Sequence, residues 1–198
     1  ARAPVEKYYD RLLKIAEGAA LATATEYQVH LLTGVHSMLL NRPLQEAMQA
    51  NLEYVGAPQF TEEDQAFARQ LQEFLDIEQK GLDTEVKPLK DEPEPPGGGS
   101  TDVAEVSRIA PVVSLSVTTA AAGIPWHSWA TSASHGTEGS VRGAEVAAKV
   151  LALTGVDMFT NPELLREAEA FFQEATGGEP YVSPVPADQK PPLPERGG

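Results

Sequence analysis

Few side chains in this sequence are suited to chemistry, and the best placed fall in two short blocks. Four histidines stand at positions 30, 36, 127 and 135 and there is no cysteine, which excludes thiolate zinc sites, iron–sulfur clusters and a cysteine nucleophile. His127 lies in Gly123-Ile124-Pro125-Trp126-His127-Ser128-Trp129, just after an apolar run of strand character, and the two tryptophans of the chain flank it. Sites of open α/β sheets gather outside the carboxyl ends of strands, so this placement suits a ligating or proton-transferring imidazole. A histidine packed between rings and bonded to backbone fits the same spacing.

The second block is Gly97-Gly98-Gly99-Ser100-Thr101-Asp102-Val103-Ala104-Glu105-Val106-Ser107. Glycines before a Ser-Thr-Asp cluster permit a sharp turn whose N–H groups can face an anion, although a loop followed by an ordinary helix cap is the simpler reading. No lysine follows the glycines, so this is not a P-loop, and no glycine stands two residues after Ser100, so it is not a nucleophile elbow. The remaining histidines carry weaker signals. His30 falls on the polar side of an alternating run and reads as solvated, His36 can cap or pack, and His135 sits in a loop-like composition.

These blocks need elements to position them. Apolar residues at Val5, Tyr8, Leu12 and Ile15 recur at helical spacing over 4–22, and Thr25–Leu31 alternates as a half-exposed strand does. Leu44, Met48 and Leu52 mark a second helix, and Thr61 with acidic residues at 62–64 caps a third that runs to about Ile77. Residues 78–99 turn charged and rich in Pro and Gly and read as a flexible loop. The β-branched, apolar stretch 112–117 reads as a central, largely buried strand. An Ala-rich helix is expected over 143–153, and Asn161-Pro162-Glu163 opens a last helix to about Ala175 before a Pro-rich extended tail.

With 29 acidic and 15 basic residues, the 198-residue chain carries a formal charge of −14. Binding to a phosphate backbone concentrates Lys and Arg on one face, so no nucleic-acid partner is expected. Apolar runs are too short for a membrane helix, and a soluble, cytoplasmic protein is expected. Ala1 stands where a translated gene start would show Met, and 1–40 cannot bury a core alone. A chain that begins inside a longer polypeptide is the expectation.

Four stretches, Lys14-Ile15-Ala16-Glu17-Gly18-Ala19-Ala20-Leu21-Ala22-Thr23, Gly99-Ser100-Thr101-Asp102-Val103, Pro125-Trp126-His127-Ser128-Trp129 and 143–150, together resemble the C-terminal part of the M20 metallopeptidase and amidohydrolase family. Within it they are most similar to the aminobenzoyl-glutamate hydrolase B-type branch, as is the tail Tyr181-Val182-Ser183-Pro184-Val185-Pro186 with Pro191-Pro192. The resemblance implies an α/β fold. Residues 1–40 would be the end of a ferredoxin-like lid and dimerisation domain, 41–178 the second half of an α/β/α catalytic domain, and 179–198 its tail.

It further implies two divalent metal ions, zinc or manganese, that activate a bridging water while a glutamate acts as general base on a small-molecule amide. His127 aligns with the C-terminal histidine ligand of one metal, and Ser100, Thr101 and Asp102 fall where the family lines its substrate pocket. The family's other ligands, its general base and its lid histidine belong to the N-terminal half and have no counterpart here. The chain by itself is therefore expected to be inactive, with that half as its partner and a homodimer formed through the lid. A non-catalytic assembly module of the same fold, or a small acidic protein binding an apolar ligand between Trp126 and Trp129, are the alternatives.

Overall fold

A computed structural model describes residues 3–90 and 99–190. The Pro- and Gly-rich end of the expected loop at 91–98 and the tail from 191, with Pro191 and Pro192, lie outside the described residues. Among those described, regular structure is helical: α1 (Ala3–Thr23), α2 (Arg42–Val55), α3 (Glu62–Phe74), α4 (Val103–Val106), α5 (Trp129–His135), α6 (Glu138–Thr160) and α7 (Pro162–Thr176). No described helix is long and apolar enough to cross a membrane.

Cap chemistry sets the helix starts. The Asn41 side chain accepts from Leu44 N–H ahead of Pro43. Thr61 and Asp64 exchange bonds in a capping box, and Asn161 accepts from Glu163 and Leu164 N–H ahead of Pro162. Asp64 is buried, which by itself raises its pKa, but bonds from the Thr61 backbone and hydroxyl and the Arg142 guanidinium outweigh this and hold it below its ordinary value. Arg142 belongs to α6, so the same carboxylate ties the start of α3 to that helix.

The body is a layer formed by α2, α6 and α7. Leu44, Leu164 and Ala168 form one apolar cluster and Met48, Val146 and Val150 another, with Val113, Leu115 and Val117 packed on them from the segment after Pro111. That segment approaches α6 very closely. A Cβ on Gly143 would stand 2.1 Å from the Thr118 carbonyl oxygen, so only glycine allows the contact. Asn41 holds the layer's near end. Its backbone N–H donates to the Val112 carbonyl at 2.8 Å, and its buried side chain donates to the Ala168 carbonyl at 2.8 Å.

A second core, Ala68, Leu71, Leu82, Ala121, Ile124 and Ala130, joins α3 to the 120–124 turn and α5. Fully buried Gln72 ties it together, accepting from Gly81 N–H and donating to the Gly81 and Ala122 carbonyls. Residues 81 and 82 of the expected flexible loop are therefore packed, not loose. By contrast the apolar face of α1 is open, with Val5, Tyr8, Leu12 and Ile15 all exposed.

The expected strands differ from what is seen. Residues 25–31 run without a ladder and are almost wholly exposed, and pairing at 112–117 is confined to one parallel bridge between Leu40 and Val112. Ser114 and Ser116 are exposed, so this segment is covered on one side and not on both. Helix α6 starts five residues before the expected start and ends seven after the expected end, because the Thr137 cap and the small residues Gly139 and Ser140 have the composition of a loop. His135, expected in a loop, ends helix α5.

Candidate functional site

The turn carrying His127 is pinned at both ends and free at its tip. Ile124 and Ala130 are buried in the second core, while Pro125, Trp126 and His127 are exposed. Below the tip, the Pro125 carbonyl accepts from the Ser128 hydroxyl at 2.6 Å and from the Thr131 hydroxyl at 2.7 Å, and Ser128 also caps α5. These bonds close a tight turn in which His127 takes φ +59°. A left-handed backbone costs a non-glycine residue roughly 1–2 kcal/mol. The imidazole makes no hydrogen bond or ion pair among the described residues that would offset this.

Aromatic rings stand on either side. Trp129 meets Phe74 edge to face at 5.4 Å, and Trp126 lies 6.3 Å from the His135 ring. Both tryptophans and Phe74 are more than half exposed, so they form an open surface around the turn rather than a closed wall. His135 Nε2 is 3.2 Å from the Thr119 hydroxyl, which leaves it occupied.

Ser100, Thr101 and Asp102 are all exposed. The Thr101 hydroxyl accepts from Val103 N–H at 3.3 Å, and Asp102 opens the short helix α4 without a side-chain cap bond. No hydrogen bond or ion pair joins these three residues to His127 among the described residues. The structure thus places the two blocks without bringing them together through direct bonds.

A third constellation carries no signal in the sequence. Glu105, three residues after Asp102, accepts from His36 N–H and from the Tyr181 hydroxyl at 2.7 Å, and its oxygens lie 2.9 and 3.0 Å from His36 Nδ1. Burial raises the Glu105 pKa, but the bonds from His36 and Tyr181 and the His36 charge outweigh it and hold the carboxyl below its ordinary value. Nearby, Ser107 Oγ accepts from Leu39 N–H at 2.9 Å and Arg108 donates to the Ser37 carbonyl. The cluster fastens the 36–39 segment, the first turn after the Ser-Thr-Asp block and the tail to one another. Its partners are 69 and 76 residues apart in sequence, a separation that no local pattern marks.

Among the described residues no three His, Asp or Glu side chains gather as a metal site would need. A catalytic zinc takes about three protein ligands. His127 supplies one donor on an exposed turn, so the residues present do not fit such an ion by themselves.

No family model matches the chain. No solved structure matches it either. Among curated proteins it is similar to the B-type subunit of p-aminobenzoyl-glutamate hydrolase from Escherichia coli (strain K12), 33% identical over 211 aligned residues that take in 94% of this chain and 44% of the relative. The chain spans a little under half the length of the curated relative it matches.

Proposed function

We propose that the chain stands with the B-type aminobenzoyl-glutamate hydrolases, as one part of a metal-dependent amidohydrolase of M20 type. In this reading the substrate is an amide of the N-acyl or aminobenzoyl amino acid kind. The observation that carries it is the match over nearly the whole of this chain but under half of the relative. It accords with a donor set too small for a metal site, because ligands and general base would then come from polypeptide beyond these 198 residues.

His127 is this chain's contribution to the metal. Its strained backbone and an imidazole with no hydrogen bond or ion pair among the described residues support that role, since strain kept without a stabilising contact is common at functional sites. Ser100, Thr101 and Asp102 would contact substrate from the opening of α4. The α/β class belongs to the same proposal: helices α2, α6 and α7 would cover one face of a sheet whose remaining strands lie in the other part. The open apolar face of α1 supports a homodimer contact through residues 1–40.

The test is the intact enzyme assayed on aminobenzoyl-glutamate with zinc or manganese. His127→Ala should abolish turnover and remove one equivalent of bound metal while the helical circular dichroism is unchanged. Full metal content and full turnover in that variant would remove His127 from the site. The small donor set also favours a second reading, a non-catalytic assembly module of the same fold. Coding sequence upstream that holds a His-x-Asp and a Glu-Glu pair would decide for the enzyme.

A further inference from the structure

The chain after α7 folds back over the connector between α1 and α2. Gln189 donates from its side-chain nitrogen to the Leu32 carbonyl at 3.2 Å, and the Tyr181 ring lies 5.8 Å from that of His36. Between these points Pro184 comes so near that a Cβ on Gly34 would stand 2.9 Å from the proline's. Only glycine at 34 lets the tail lie this close. The tail is also stiff for its length. Pro180, Pro184 and Pro186 fix φ, while Val185 N–H donates to the Ser183 hydroxyl and Gln189 N–H to the Pro186 carbonyl, each at 3.1 Å. A segment restricted in this way loses little entropy on docking.

The connector in turn carries α4. Residues 24–39 contain neither helix nor ladder, and a single turn such as α4 is too short to hold itself. It is held by Glu105 on His36, Ser107 on Leu39 and Arg108 on Ser37. At its opening the Thr101 and Asp102 carbonyls accept from Ala104 and Glu105 N–H, so the 100–102 block moves with the turn. Tyr181 closes the chain of contacts from the tail side. Its hydroxyl donates to Glu105 Oε2 at 2.7 Å, and the His36 N–H donates to Oε1 of the same carboxylate.

We infer that residues 181–189 are a clasp that fixes the connector and, through Glu105, the stance of the 100–102 block, which makes Tyr181 a positioning residue for the substrate contact. The inference rests on the reading of Ser100, Thr101 and Asp102 as substrate contacts in an amidohydrolase. Tyr181 acts on the carboxylate and not on the substrate. A loosened clasp therefore weakens binding and leaves the bond-breaking step as it was, which raises KM and keeps kcat.

The experiment uses Gly34→Ala, Gly34→Ala with Pro184→Gly, and Tyr181→Phe in the intact protein, assayed on aminobenzoyl-glutamate with zinc or manganese. Gly34→Ala pushes the tail away. It should speed exchange of the His36 amide about tenfold and raise KM about fivefold, with kcat within about twofold of the unaltered value. Pro184→Gly makes room for the alanine and should bring both readings back toward the unaltered ones. Tyr181→Phe keeps the ring and loses the bond to Glu105, and should raise KM about threefold with kcat again kept. Circular dichroism checks that each variant keeps its helices.

An unchanged His36 amide in Gly34→Ala overturns the clasp. Faster exchange with KM unchanged overturns the positioning role, as does a fall in kcat at constant KM. A double variant no better than Gly34→Ala also overturns the inference, because glycine is then needed for something other than room for the tail. Absence of hydrolysis by the unaltered protein removes the amidohydrolase and with it the positioning role, and the exchange measurement still decides the clasp.

Discussion

The junction around Glu105 and the turn around His127 each hold a histidine, and they treat it in opposite ways. At the junction, His36 is half-buried, bonded through both backbone and ring to one carboxylate, and packed 5.8 Å from the Tyr181 ring. At the turn, His127 is exposed, unbonded among the described residues, and held in a left-handed backbone. A polar side chain that serves stability has its partners within the fold. One that is strained and left without them is better explained by something outside the chain.

The comparison fails if the two regions respond alike to substitution. The largest effect belongs to Glu105→Ala, which removes the acceptor of the part-buried His36 N–H along with the bonds to the His36 ring and the Tyr181 hydroxyl, and should cost about 2–3 kcal/mol in urea unfolding. A loss below the error of the measurement would deprive the junction of its structural role.

Acid should act in the same direction. Glu105 titrates below its ordinary value near 4.5 in the folded chain, so its contribution is complete above that value and is lost as the pH falls through the folded one. The stability gap between the unaltered protein and Glu105→Gln should therefore hold above about pH 4.5 and close as the pH falls below it through the folded value. A gap independent of pH would show that the charge is not what the junction uses. Tyr181→Phe, removing one exposed bond to the carboxylate, should cost about 0.5–1 kcal/mol.

The smallest effect carries the opposite sign. His127→Gly relaxes the left-handed backbone and should stabilise the fold slightly, by about 0.5–1 kcal/mol, since glycine takes positive φ without a steric cost but brings a more flexible unfolded chain. If the proposed amidohydrolase role holds, the same change should remove activity from the complete protein. A marked loss of stability would place His127 with His36 as a structural residue.

Much of the helical frame is readable from the sequence, because caps are local. Asn41 before Pro43, Thr61 before three acidic residues and Asn161 before Pro162 each carry their own start signal within a few positions. Helix α5 is harder to see, because its cap, Ser128, lies inside the Trp-His-Ser-Trp block and its seven residues are too few to show a period. At the candidate site the residue types mark the blocks, but their surroundings come from far along the chain. Trp129 finds Phe74 from α3, and Glu105 finds His36 and Tyr181. Periodicity says which face of an element seeks cover. It does not say what supplies it: α1 and α2 are both amphipathic, yet α2 buries Leu44 and Met48 while α1 leaves Leu12 and Ile15 open.

Asn41 bonds through its backbone N–H to the 112 segment, through its amide nitrogen to α7 and through its side-chain oxygen to the first turn of α2. Three stretches distant from one another in sequence thus converge on one residue that is almost wholly shielded from water. None of the three can fray without stranding a polar group of Asn41. Residues near 41, 112 and 168 should consequently open as one cooperative unit on heating, with a single shared opening free energy, while α1 melts separately and earlier.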